Sequence, residues 1–293
     1  MPANNGHSLI SPSGAHQWMH CTPSVRFVQS LDLPPEEEKD YAAEGTLAHY
    51  LCEMWLKKAV RPSFDGWMRV PGDDAVPVPC GAGDEGAMPL APMEPHVTAY
   101  VEYVRSLTAD EEPADVELHV EQRIDLSRWI PHTFGSADSL VYVMRPGTRT
   151  PERMFLNDFK YGRGVRVPID YGPPGRPDPN PQLTLYAFGA LRPTMRTVTM
   201  SIIQPRRDHI VSMTLSRDEL TAAAARIIVK GNEAWQGVGR FVPGADICRF
   251  CRAVPYCRAY AAASGLPLPP ARGVQAREGT KETTSKGEHH EQQ

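Results

Sequence analysis

Two apolar runs rich in aromatic and β-branched residues, DSLVYVM (138–144) and RMFLNDFKY (153–161), stand on either side of the turn-forming RPGTRTPE. Short apolar runs bounded by turn residues read as buried strands, and two so close together pair as neighbours. A sheet therefore lies at the centre of whatever this chain forms, and it has to accommodate Asp158 and Lys160 in its second run. Side chains two apart on a strand point to the same side. A carboxylate and an ammonium are costly to bury unless they are paired. Taken alone, the pattern is that of a structural ion pair on a half-exposed strand.

The remaining elements can be read around this pair. EGTLAHYLCEMWLKKA (44–59) carries Leu47, Leu51, Met54 and Trp55 at helical spacing, and MEPHVTAYVEYVRSLT (93–108) predicts a second amphipathic helix. DVELHVEQRI (115–124) alternates Val116, Leu118 and Val120 with Glu117, His119 and Glu121, the period of a half-buried strand. PQLTLYAFGAL (181–191) opens at a proline suited to a first helical turn. TVTMSIIQP and HIVSMTLS predict two more strands, and Ser216 with Glu219 forms a capping box before a last long helix. The order predicts an α/β fold: a mixed central sheet of mostly consecutive strands flanked by helices. Residues 61–95, dense in Pro, Gly and Asp, read as an irregular insertion, and 269–293 as a disordered polar tail.

At 293 residues the chain is one large domain or two small ones, and six cysteines are too sparse for a disulfide scaffold. The first residues hold no basic segment followed by an apolar run, and no apolar stretch nears membrane-spanning length. The expectation is a soluble cytoplasmic protein with reduced cysteines and no membrane partner. A net charge of −4 gives no overall basic footprint for nucleic acid, although a basic groove can sit on an acidic protein. No GxxxxGK[ST] is present, so no P-loop motor is expected.

Polar groups recur where packing alone would place apolar ones. His49 and Glu53 share a helix face; Asp138 falls where a Gly-Ser turn enters a strand; Asp158 and Lys160 share a strand side; Gln182 and Tyr186 share a helix face. Singly, each has an ordinary structural explanation. Together, two carboxylates and an imidazole can hold a hard divalent cation. A lysine beside it can orient a water and stabilise charge on a phosphoryl oxygen. That is equipment for phosphodiester hydrolysis.

The succession GTxxHxxxE, GxxD, DxK and QxxxY resembles the RecB-like branch of the PD-(D/E)xK nuclease superfamily, with its restriction-endonuclease-like core. The flanking SPSGAHQWMHCTPS and DFKYGRGV…NPQL are similar to a phage- and prophage-associated family of that branch (DUF2800-like), over residues 8 to about 262. The resemblance implies Mg²⁺ or Mn²⁺ on His49, Asp138, Asp158 and the backbone carbonyl of Phe159. It implies Lys160 as the catalytic lysine, and Gln182 and Tyr186 as residues positioning the DNA strand. Glu53 would support His49 from behind. Glu117 and Glu121 lie on a neighbouring strand within reach of the site, but a solvent-facing row is the stronger reading.

Three cysteines crowd into CRFCRAVPYC (248–257), and a thiolate-held group wants four. Iron–sulfur nucleases of this branch, Cas4-like and AddB-like, place one cysteine before the core and three after it. Cys21, Cys248, Cys251 and Cys257 match that layout and would hold a [4Fe–4S] cluster, closing a loop of more than two hundred residues. Zinc accepts the same thiolates, and His16 or His20 can stand in for Cys21. Arg163, Arg166, Arg249, Arg252 and Arg258, with Phe250 and Tyr256, suit single-stranded nucleic acid or equally a solvated basic surface. The implied organisation is an N-terminal segment (1–43), a nuclease core (44–240), a cysteine segment (241–268) and the tail. The implied activity is a metal-dependent DNase acting on single strands or DNA ends in phage replication or recombination. An annealing or single-strand-binding protein would be its partner. Two alternatives stay open: a DNA-binding module without chemistry, and a zinc-stabilised interaction protein.

Overall fold

The computed structural model describes residues 8–31, 33–34, 40–72 and 76–269. Two short helices open it, α1 (Ala15–His20) and α2 (Ser24–Ser30), followed by the long α3 (Asp40–Lys58). Three short strands come next, β1 (Trp67–Arg69), β2 (Val78–Cys80) and β3 (Met88–Pro89), then α4 (Glu94–Ser106). The central elements are β4 (Val116–Asp125), β5 (Phe134–Met144), β6 (Pro151–Phe159), α5 (Pro181–Gly189), β7 (Thr197–Gln204), β8 (His209–Ser216) and α6 (Arg217–Gln236). Two small helices close the chain, α7 (Ala245–Cys248) and α8 (Arg258–Ala263). The strands expected for 138–144 and 153–161 are present, the first beginning earlier, at Phe134. The expected disordered tail lies outside the described residues apart from its first residue.

β4 to β8 form one five-stranded sheet in chain order. All neighbours are antiparallel except β6 and β7, which run parallel and are joined by the crossover that contains α5. Parallel pairing requires such a crossover. The sheet is covered on both faces. Leu140, Tyr142, Leu156, Met200 and Ile202 pack in one buried cluster with Leu183 and Leu185 of α5 and Leu220 and Ile227 of α6. Val141, Phe159 and Ile203 pack in a second with Leu47, Leu51 and Trp55 of α3 and Val97, Tyr100 and Val101 of α4. That two-sided burial explains why β5, β6 and β7 read as near-continuous apolar runs.

Between the sheet and α4 lies a buried polar row absent from the sequence expectations. Tyr100 Oη donates to Ser139 Oγ at 3.1 Å, Asn157 Nδ2 donates to the same oxygen at 3.1 Å, and Tyr103 Oη donates to Ser201 Oγ at 2.9 Å. A one-residue slip of β6 against β5 would take Asn157 away from Ser139, so this buried bond specifies their register. The capping box of α6 forms as expected, with Ser216 Oγ accepting from Glu219 N–H, and the helix ends at Gly237 in the left-handed region at φ 72°.

Residues 61–95 differ from expectation. They hold the small antiparallel sheet β2-β1-β3, with Trp67 opposite Cys80 and Pro89. Strands of two or three residues carry too little periodicity to register among prolines and glycines. The N-terminal helices dock on the other end of the chain: Arg26 lies over the Trp235 ring at 4.2 Å and donates to its carbonyl, and Thr22 Oγ1 donates to Val238 O. Among the described residues no helix is long and apolar enough to cross a membrane.

Candidate metal centre and cysteine site

The site forms in the first half of β5 and at the end of β6, beside α3 and α5. Ser139 pairs with Asn157, so continuing that register brings Asp138 opposite Asp158. On the other side, Val120 pairs with Ser139 and Gln122 with Ala137, which places Glu121 opposite Asp138. Three adjacent strands thus bring three carboxylates into one row. Glu121 sits in the left-handed region, at φ 52° in mid-strand. Such a backbone is rare for a residue with a side chain, costs of order 1–3 kcal/mol, and re-aims the side chain out of simple alternation.

His49, from α3, closes on this row. Its Nδ1 lies 3.5 Å from Asp138 Oδ1 and 3.7 Å from Glu121 Oε1. Among the described residues, His49, Glu121 and Asp138 are the group whose ligand atoms all fall within 4.8 Å of one another. Asp138 is fixed further by the Phe159 N–H, which donates to Oδ2 at 2.6 Å. Phe159 is fully buried, and its ring meets those of His49 and Tyr100.

Asp158 stands apart from that group. Lys160 Nζ is 3.0 Å from both its oxygens, and Gln182 Nε2 donates to Oδ1 at 3.1 Å. Lys160 Nζ also approaches Gln182 Oε1 at 3.5 Å. Oδ2 is buried and accepts no well-directed hydrogen bond. Gln182 is aimed by the cap before it, since Asn180 Oδ1 accepts from Gln182 N and Leu183 N. Tyr186, one turn on, is buried against Gly135: a Cβ there would come within 2.8 Å of Tyr186 Cε1 and closer still to its hydroxyl.

The charges explain each other. Burial raises Asp158 to about 6, only partly opposed by Lys160. Burial also works against the Lys160 ammonium, but Asp158 and Asp138 outweigh it and hold the lysine above its usual value. Burial disfavours a charged His49 too, yet Asp138 and Glu121 lift it to about 10. Burial raises Glu121, whereas Asp138, against the same burial, is held below the usual range by His49 and Lys160. Burial, then Asp158 and Asp138, keep the Tyr186 phenol neutral. The centre is three crowded carboxylates held by two cations, and its donor set of imidazole and carboxylate oxygens fits a hard divalent ion.

The structure therefore brings together His49, Asp138, Asp158, Lys160, Gln182 and Tyr186, and it changes two assignments. Glu53 pairs with Lys57 at 2.6 Å instead of supporting His49. Glu121 reaches the centre, whereas Glu117 is held by Arg192 through two 2.8 Å hydrogen bonds.

The four cysteines line one cavity together with Phe27, Phe241 and Ile247. Each sulfur faces a backbone N–H: Val242 and Ser24 for Cys21, Gly244 for Cys248, Ala253 for Cys251 and Tyr260 for Cys257. Burial nevertheless raises the Cys21 and Cys251 thiols, and these hydrogen bonds oppose it only in part. Cys52 lies elsewhere, buried in α3, and Cys80 in β2. His16, in α1, stacks on Tyr171 at 4.5 Å and meets His20 edge-on, without joining the thiols around the cavity. Phe250, between two of the cysteines, is 80% exposed beside Arg249.

Fold and site together define a mixed α/β protein with a carboxylate–lysine centre on its sheet and a four-thiol cavity joining its ends. The chain belongs to the family described as "Protein of unknown function (DUF2800)", whose family model matches residues 7–266. Among solved structures it is similar to the crystal structure of SSO0001, at 16% identity over 58% of this chain and 75% of that one, with a TM-score of 0.30. A likeness of that size carries no argument about function.

Proposed function

We propose that the protein is a metal-dependent deoxyribonuclease of the RecB-like branch of the PD-(D/E)xK superfamily, working as an exonuclease on single strands or DNA ends in phage replication or recombination. The observation that carries this reading is the row Glu121–Asp138–Asp158 with Lys160 hydrogen-bonded to its last member. A structural ion pair would need neither the other two carboxylates nor a left-handed backbone aiming one of them inward.

His49, Glu121 and Asp138 would hold Mg²⁺ or Mn²⁺, with Asp158 and the Phe159 carbonyl as the further ligands that the family resemblance implies. When bound, the ion would polarise a phosphoryl oxygen and acidify a water. Lys160, fully protonated and held by Asp158, places a positive charge beside the phosphate and orients the attacking water. Gln182 keeps Asp158 and Lys160 in mutual register, and Tyr186 walls the site with a neutral hydroxyl. Cys21, Cys248, Cys251 and Cys257 would hold a [4Fe–4S] cluster. Zinc accepts the same four thiolates and is the alternative occupant.

The test is digestion of end-labelled single- and double-stranded DNA with Mg²⁺ or Mn²⁺, wild type beside Asp158→Ala and Lys160→Ala. Cleavage that needs the metal and is lost in both variants supports the proposal. A folded, cluster-loaded protein that binds DNA without cutting it would leave a DNA-binding module instead.

A further inference from the structure

A groove of about 560 Å³ opens beside the carboxylate centre and shares His49 and Glu121 with it. Its floor is one face of α3, where Tyr41, Gly45 and His49 follow at successive turns with Ala42, Thr46, Tyr50 and Glu53 beside them. Its far wall is Val76 and Pro77, carried by the small β2-β1-β3 sheet. Gly45 is unexplained by packing or backbone: it lies inside a nineteen-residue helix, its φ is not positive, and a Cβ there would meet nothing within 4 Å. Glycine inside a helix costs about 0.5–1 kcal/mol relative to alanine. Its one local effect is to keep the groove open.

We infer that this groove holds the base of an unpaired nucleotide whose phosphate lies at the carboxylate centre. The lining decides the occupant. Among its described residues the lining has no lysine or arginine to carry a backbone phosphate, and its carboxylates are already held, Glu53 by Lys57 and Glu121 by His49. It offers tyrosine rings for stacking, small residues for clearance, and hydroxyl acceptors for exocyclic amino groups. A base in the groove has left its partner, so the groove selects single strands or frayed ends over intact duplex. Val76 and Pro77, which lead into β2, supply the wall and thereby gain a role in substrate choice. This inference rests on the nuclease reading for the position of the phosphate.

The test uses the full-length protein in Ca²⁺, with fluorescently labelled single-stranded oligonucleotides that are intact or carry one abasic position moved along the strand. Wild type should bind one abasic register at least about tenfold more weakly than the intact strand, within the range for loss of one stacked base. Gly45→Leu, which fills the groove at a site free of contacts, should lose that same factor on intact DNA and no longer distinguish abasic strands, with an unchanged or raised melting temperature. Equal affinity for intact and abasic strands in wild type overturns the inference, as does wild-type binding by Gly45→Leu. Base-independent binding with metal-dependent cleavage would sink the groove and spare the nuclease. Base-dependent binding without cleavage would do the reverse.

Discussion

Asp158 is the carboxylate the sheet tolerates least. It is 5% exposed, one oxygen lacks a directed hydrogen bond, and burial lifts it from its usual 3.8 to about 6. When a folded-state pKa lies above the unfolded value, the folded protein holds the proton more tightly, so ionisation works against the fold. For Asp158 this penalty is absent below about pH 4, develops between 4 and 6, and is complete above 6. A rise of that size corresponds to ~3 kcal/mol. Asp158→Asn keeps the shape and an acceptor for Gln182 while removing the titration. Urea unfolding of both proteins with metal chelated, from about pH 4.5 to 7.5, should show wild type losing most of that ~3 kcal/mol relative to the variant. Saturating Mg²⁺ should remove the difference in slope, because a bound cation favours the ionised carboxylate. Parallel curves in chelator would refute the account of Asp158 as a strained, cation-seeking group.

Three further outcomes follow from the geometry. Glu121→Gln should weaken Mn²⁺ binding about tenfold or more in calorimetry, whereas Glu117→Gln, whose carboxylate belongs to Arg192, should leave it unchanged. Gly135→Ala forces Tyr186 to move and should destabilise the fold by about 1–3 kcal/mol in denaturant titration; pairing it with Tyr186→Phe should restore part of the loss. Cys21→Ser should lower iron and acid-labile sulfide in anaerobically purified protein together with its melting temperature, while Cys52→Ser should leave the iron content as it was.

The sheet was legible because its strands announce themselves twice, by apolar runs and by turn residues between them. β6 and β7 illustrate the limit. Both are readable as strands, but only the buried α5 crossover makes their pairing parallel, and periodicity is blind to direction. Asp158, Lys160, Gln182 and His49 were readable because each is polar at a position whose neighbours are buried. Glu121 was not, since alternation along β4 assigns it to the same outward side as Glu117, and nothing in VEQR signals a left-handed residue. Glu53 failed in the opposite sense: four residues from His49 it shares a helix face, but Lys57 lies four residues further on and captures it. The cysteine spacing was visible as a pattern, and the N–H groups facing each sulfur only in three dimensions.

The parallel pairing of β6 and β7 also bears on how the molecule is made. The catalytic candidates are scattered from His49 to Tyr186, and the strand that bears Asp158 and leads into Lys160 is completed on one side only when β7 comes back beside it, Thr197 opposite Arg153. Long-range pairing of this kind closes late, because loop entropy is lost before the contacts compensate for it. The thiol cavity closes later still, with Cys21 emerging among the first residues and Cys257 near the last. The carboxylates of β4, β5 and β6 can thus meet early through neighbouring antiparallel pairs, whereas Gln182 joins them only with the crossover and the thiol cavity closes last.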